Sequence, residues 1–192
     1  SKWEALNKYA AADNRKLEAK EEIHEQDIML KCIVSIENRV RFYENDQPGD
    51  RDDFTRVKSE VRNIIANLSA KFDGENVIED NYITSIEFPK LNHAARFAVE
   101  FFKDVSIYEE QLNNTNLIIA DKCSILSLSS EQEPNLSPFI QDVFEQTYDN
   151  EIIVNEPIKE RLEGEKYGFE FLGEKTLNKT GWSTALYKMT EL

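Results

Sequence analysis

The chain has 192 residues, 37 acidic and 23 basic, giving a formal net charge of -14, and 40% of its residues are hydrophobic. A chain of this length buries about 70% of its unfolded surface, enough for one sizeable core without disulfide or metal support. The acidic field excludes bulk nucleic-acid binding, because phosphate backbones reward clustered lysine and arginine. The longest apolar runs, such as 117–120, fall far short of the ~20 residues that span a bilayer. The start has neither the basic n-region nor the apolar h-region of a signal peptide, so a cytoplasmic location is expected, and a start at Ser1 without Met reads as a trimmed chain.

In chain order, residues 1–27 are rich in Ala, Lys, Glu and Leu without Gly or Pro, and predict a helical arm. Trp3, Leu6, Ala10 and Leu17 fit a heptad, but the same register puts Asp13, Lys20 and His24 on the seam, so the arm is expected to pack on its own domain or on a partner chain. The run IMLKCIVSI, 28–36, is continuous, apolar and β-branched, and predicts a central buried strand. A polar stretch follows over 37–53 and is expected to be loop in at least its second half. Phe54, Val57, Val61, Ile64, Ile65, Leu68 and Phe72 then recur at helical spacing, with Asp52 or Asp53 as the expected N-cap. Two short runs, 76–79 and 82–88, flank Asp80-Asn81 and predict a hairpin turning on that pair. A second helix is expected from about 92 to 105, a strand region over 117–128, a loop over 129–135 and a third helix over 136–148. A short strand (151–154), a short helix (156–162) and a closing strand pair (169–172 with 184–189) complete the chain.

That order predicts an α+β sandwich, with helices over a mainly antiparallel sheet, as one domain at 28–192. Six glycines support no phosphate-binding glycine loop, and there is no G-x-S-x-G, HExxH or CxxC pattern. Cys32 and Cys123 lie in apolar runs without ligand spacing and read as buried free thiols. His24 and His93 are assigned no role. The Phe97, Phe101 and Phe102 cluster reads as core. Between 108 and 160, eleven acidic residues stand against Lys122 and Lys159, a stretch expected to be a solvated face or to meet a basic partner. A phosphate-bearing ligand is therefore expected elsewhere, or with metal ions.

Several segments in order resemble one family. VIEDNYITSIEF (77–88) followed by HAARFAVEFF (93–102) is similar to the "IGDG...AVF" hairpin and helix of class III nucleotidyl cyclases. EIIVNEPIKERL and FEFLGEKTLNKTGWSTALYKM resemble that family's "EILVSEEVYERL... F..LGE..LKG....VRLY.V" ending, keeping Leu172, Gly173, Leu177, Gly181, Leu186 and Tyr187 in spacing. The resemblance covers roughly 28–189 and implies a ferredoxin-like cyclase sandwich, conversion of a nucleoside triphosphate to a 3',5'-cyclic nucleotide and pyrophosphate, and a head-to-tail homodimer. In that family a helical stalk often precedes the domain, as the 1–27 arm does here.

The resemblance also implies site residues. Its two metal-holding aspartates fall on Glu37 and Asp80, which would hold two Mg²⁺ or Mn²⁺ ions through oxygen. Its base-reading lysine falls on Asn76, which implies an altered base preference, as in the bacterial anti-phage branch that makes cyclic pyrimidine nucleotides. Its "LKG" lysine falls on Asn178, with Lys179 adjacent as a phosphate contact. The helix that supplies a transition-state Asn and Arg aligns with LSPFIQ or SPFIQD, leaving Ser137 or Pro138, and Gln141 or Asp142, in their places. Loss of the guanidinium removes electrostatic stabilisation of the transition state. Two readings follow: a divergent cyclase, or a cyclase-like domain without catalysis that dimerises, regulates or senses a ligand. Apart from the resemblance, Glu37 is a polar residue leaving a strand and Asp80 a turn former.

Overall fold

The computed structural model describes residues 31–45, 47–129 and 136–192. The helical arm expected over 1–27, its boundary at 28 and residues 130–135 of the expected loop lie outside the described residues. Among the described residues nine strands and four helices follow in chain order. The strands are β1 (Cys32–Glu37), β2 (Val40–Phe42), β3 (Glu75–Asp80), β4 (Ile83–Glu87), β5 (Leu117–Ile119), β6 (Lys122–Ser127), β7 (Ile152–Asn155), β8 (Tyr167–Thr176) and β9 (Ser183–Glu191). The helices are α1 (Asp50–Lys71), α2 (Leu91–Glu110), α3 (Leu136–Glu145) and α4 (Glu156–Leu162).

Seven strands form one sheet in the order β3-β4-β1-β6-β7-β9-β8, and β2 pairs with β5 in a separate two-stranded ribbon. Only the β6–β7 pair of the large sheet is parallel. The predicted α+β sandwich on a mainly antiparallel sheet is therefore the architecture observed.

β1 shows why its run is apolar throughout. Val34 and Ile36 enter one core with Val57, Val61, Ile65 and Leu68 of α1 and Ala94, Phe97, Ala98 and Phe101 of α2. Ile33, on the alternate side, enters a second core with Phe139, Ile140, Val143 and Phe144 of α3 and with Leu177. A strand with helices over both faces has no solvent side to make polar. Both cysteines are buried and free, and burial pushes the Cys32 thiol up to about 12. His93 fits a structural place, its Nδ1 donating to the Phe72 carbonyl at 3.1 Å beside the start of α2.

Four expectations change. The polar stretch after β1 contains a strand, β2, whose partner lies far along the chain: Val40 pairs with Ile119 and Phe42 with Leu117. The single strand region expected over 117–128 is split into β5 and β6 by Ala120 and Asp121, whose backbone is drawn to Arg39 and Asn150 (Ala120 N–H to Arg39 O, 2.8 Å; Asn150 N–H to Asp121 O, 2.7 Å). α1 begins at Asp50 after Gly49 at φ 90, earlier than a cap at Asp52 or Asp53 would place it. Asn114 and Asn116 donate to the Asp50 carboxylate at 2.8 and 2.7 Å and Gln47 N–H at 2.6 Å; these bonds, that of Asn114 foremost, hold the Asp50 carboxyl below its usual range. The hairpin turns one residue later than expected: Asn81 and Tyr82 take the positive φ angles (47 and 69), while Asp80 closes β3 opposite Ile83. Two central residues of positive φ match the twist of the flanking strands.

Candidate functional site

The register of the sheet aligns one row of side chains. Asp80 faces Ile83, Ile83 faces Glu37, and Glu37 faces Lys122, across the neighbouring strands β3, β4, β1 and β6. Residues directly opposite in a sheet project to the same face, so Glu37 and Asp80 share a face. It is the face of Ile33, Ile83 and Leu126, the one on which α3 packs. With one strand between them, their backbones are roughly 10 Å apart at ~4.8 Å per strand.

Between the ends of these strands, α3 and the β8–β9 turn lies a cleft of about 430 Å³. Its lining includes Glu37, Arg39, Lys122, Gln141, Glu145 and Lys179. Three cations and two carboxylates line the cleft, so it is much less negative than a chain of net charge -14 is as a whole, and an anion is less opposed there than over the rest of the surface. Each cation is held. Arg39 lies 3.5 Å from Glu37 and 3.8 Å from Asp149. Lys122 is buried and donates to the Phe144 carbonyl at 2.5 Å, and burial lowers its pKa. Lys179 donates to Gln141 Oε1 at 2.8 Å and Glu145 Oε1 at 3.1 Å. Buried Asp142 fixes the turn that carries Lys179 by accepting the Lys179 and Thr180 backbone N–H groups at 2.8 and 3.3 Å.

The chain leaving Glu37 is anchored from behind. Asp121 Oδ1 accepts the Arg39 backbone N–H at 2.7 Å, and its Oδ2 is buried without a partner. Burial pushes the Asp121 carboxyl up to about 7, with Glu109 and Glu37 adding to the rise and the Arg39 bond and Lys58 opposing it.

Of the residues expected from sequence, the structure brings Glu37 and Lys179 into one cleft and sets Asp80 on the same face beside it. Asp80 Oδ2 accepts from Ser137 Oγ at 2.9 Å, which ties the hairpin to the start of α3. Asn76 stands apart: four residues before Asp80, about 13 Å along an extended strand, its Nδ2 donates to Glu87 Oε2 at 3.0 Å. Its φ of 48 and the register shift between Glu75 and Ile78 mark a β-bulge there. At the positions aligned with the family's arginine, Gln141 lines the cleft and Asp142 is buried as a turn anchor. Sequence reasoning missed Arg39 and Lys122 as cleft cations. Only the cross-strand pairing of Glu37 with Lys122 could have pointed to the second.

Hard carboxylate oxygens suit Mg²⁺ or Mn²⁺, and Glu37 and Asp80 on one face supply two of them. Among the described residues no group of three or more His, Cys, Asp or Glu could hold a metal ion. The remaining ligands of any bound ion would then come from phosphate and water.

No family model and no curated protein matches the sequence. The fold, in contrast, is that of adenylate and guanylate cyclase catalytic domains. The adenylyl cyclase CyaB from P. aeruginosa superposes with a TM-score of 0.61 at 10% identity, over 84% of this chain and 95% of that one. An adenylate/guanylate cyclase/hydrolase from Silicibacter pomeroyi gives 0.59 at 13% identity, over 83% and 96%. The guanylate cyclase domain of RhGC from Catenaria anguillulae, solved in complex with GTP, gives 0.53 at 8% identity, over 83% and 96%. Among the described residues no helix is long and apolar enough to cross a membrane.

Proposed function

We propose that the domain binds a nucleoside triphosphate with divalent metal in the cleft beside Glu37 and converts it to a 3',5'-cyclic nucleotide and pyrophosphate, acting as a cytoplasmic homodimer. The observation that carries this reading is the single row Asp80, Ile83, Glu37, Lys122: two carboxylates and a cation on one face, next to Lys179. Arg39, Lys122 and Lys179 bind and orient the phosphate chain. Glu37 and Asp80 would hold Mg²⁺ or Mn²⁺, which when bound lowers the pKa of the ribose 3'-hydroxyl and neutralises developing phosphate charge. The Asp142 anchor keeps Lys179 at the cleft while Ser137 steadies Asp80. The family's base-reading lysine is replaced by Asn76, which stands apart from the cleft; loss of that lysine extends the candidate substrates to CTP and UTP, those of the anti-phage branch the sequence resembles.

One observation favours a second reading, a nucleotide-binding or dimerisation module without turnover. Gln141 lines the cleft where the family's arginine is aligned, and its amide oxygen accepts from Lys179. The two are separated by incubating the protein with ATP, GTP, CTP and UTP in turn with Mn²⁺ and measuring cyclic nucleotide and pyrophosphate together. Stoichiometric products that vanish in Asp80→Ala support the cyclase. No product from any of the four refutes it, and calorimetric binding of a non-hydrolysable triphosphate would then identify the module. Sedimentation velocity tests the dimer.

A further inference from the structure

On the α1 side of the hairpin lies a second pocket, of about 330 Å³, lined by Asn38, Lys58, Arg62, Glu79, Asp80 and Tyr82 among others. Thr84 of its wall pairs with Ile36, whose side chain belongs to the core under α1 and α2, so that part of the wall lies on the face opposite the Glu37 side chain, while Asp80, Asn81 and Ile83 form the edge over which the pocket borders the cleft.

Three features of this pocket bear on a ligand, Arg62 being an exposed side chain at its rim. Lys58 and Arg62 stand one turn apart on α1, a like-charged spacing that destabilises a helix. Arg62 makes no ion pair or hydrogen bond among the described residues. Lys58 bonds the Asn38 carbonyl and sits over the Tyr82 ring at 4.7 Å. Burial lowers its pKa, with Arg62 adding to the fall and the nearby Asp121 and Glu37 carboxylates opposing it; none of the ion pairs among the described residues includes Lys58. Asn38 is buried, at 5% exposure; its Nδ2 is spent on the Lys58 carbonyl at 3.2 Å, and its Oδ1 is buried with no partner. That bond fixes the amide orientation, so the unsatisfied atom is an acceptor. An unsatisfied buried acceptor in a native fold calls for a donor.

The missing partner must therefore present negative oxygens to Lys58 and Arg62 and an O–H to Asn38 Oδ1. Glu79 and Asp80 offset the two cations, and a volume of about 330 Å³, smaller than the 430 Å³ of the cleft, suits a small oxyanion. We propose that this pocket binds a protonated phosphate, either free hydrogenphosphate or the monoanion of a phosphate monoester, separately from the nucleotide cleft. Asn38 follows Glu37 directly and its N–H bonds Tyr82 O at 3.0 Å. Occupancy is thereby felt by both the strand end and the hairpin turn that carry the candidate metal carboxylates, and a ligand that changes affinity at one site is changed reciprocally by the other.

The test is a titration of the nucleotide-free protein with sodium phosphate, sodium sulfate and methyl phosphate, followed by calorimetry and by the backbone amide shifts of Asn38 and Tyr82. At pH 8 hydrogenphosphate keeps an O–H, whereas sulfate and dianionic methyl phosphate have none. The expected result is saturable phosphate binding at least tenfold tighter than that of either competitor. It weakens at least about tenfold in Arg62→Ala, as for loss of one hydrogen bond to a charged group, and recovers in part in Arg62→Lys. Methyl phosphate binding that appears on lowering the pH to 5.5 would name a monoester as an equal ligand; its absence would leave free phosphate. Sulfate binding as tight as phosphate, binding unchanged in Arg62→Ala, or no saturable binding at millimolar phosphate would overturn the proposal. None of these readouts depends on cyclase activity, so failure here leaves the cleft reading untouched, and failure of that reading leaves this one standing.

Discussion

Asp121 offers a test of the electrostatics behind the site. Its carboxyl is buried between β5 and β6, with one oxygen on the Arg39 N–H and the other unpartnered, and burial moves its pKa from 3.8 to about 7. Between those values the folded state holds a proton that the unfolded state has released, so unfolding becomes easier as pH rises, at about 1.4 kcal/mol per unit. The whole window is roughly three units, or ~4 kcal/mol, and about two of those units, ~3 kcal/mol, fall between pH 5 and pH 7. Above the folded pKa the penalty is complete and the dependence flattens. Asp121→Asn keeps an acceptor for the Arg39 N–H and never ionises. Its stability relative to the parent should therefore rise by ~3 kcal/mol between pH 5 and pH 8, other groups cancelling in the difference. Urea unfolding at the two pH values measures it; at a slope near 2 kcal/mol per molar, the midpoint difference should move by more than about 1 M. A difference that stays constant from pH 5 to pH 8 would show that Asp121 ionises normally, and that the strand end at Glu37 is not held over a neutral carboxyl.

Two further outcomes follow from packing. In Asp142→Ala the Lys179 and Thr180 amides lose their buried acceptor; the expected loss is about 1–3 kcal/mol, together with faster hydrogen exchange at those two amides and weaker triphosphate binding. Gly74→Ala places a Cβ 2.5 Å from Ser69 Oγ and 2.7 Å from Ile86 Cγ2, an overpacking expected to cost about 1–3 kcal/mol, read as a lower urea midpoint with an unchanged slope.

What the sequence carried, and what it did not, divides along local and non-local lines. The helical spacing of Val57, Val61, Ile65 and Leu68 and the apolar run around β1 are local signals, and a helix and a strand formed there, over Asp50–Lys71 and Cys32–Glu37. β2 is only three residues, VRF, within a polar stretch; it exists because residues 117–119 come alongside it, which no window around it reveals. The turn shift to Asn81-Tyr82 is similar, since a tyrosine at positive φ carries no sequence signal and here lies against Lys58 from another element. Glu37, Asp80 and Lys179 were reached only through the ordered resemblance to cyclases, and the sheet register then gave Glu37 and Asp80 a common face. Lys122 escaped notice because a single basic residue in an acidic stretch looks like solubilising charge, and Arg39 because, with Arg41 in a polar stretch, it looks the same. Their place in the cleft is a property of strand order, not of their neighbours in the chain.

The central position of β1 has a consequence for how the chain comes off the ribosome. β1 is bonded on one edge to β4 and on the other to β6, where Cys32 pairs with Ser127, 95 positions later. At a synthesis rate of about 5–20 residues per second, its second edge waits on the order of 5–20 s after its own emergence. During that interval a buried, apolar central strand is a half-paired template, open to strand addition by other chains. Closure by β6 is a long-range contact of the kind that slows folding, so the step that completes the floor of the cleft is also the step on which escape from aggregation depends.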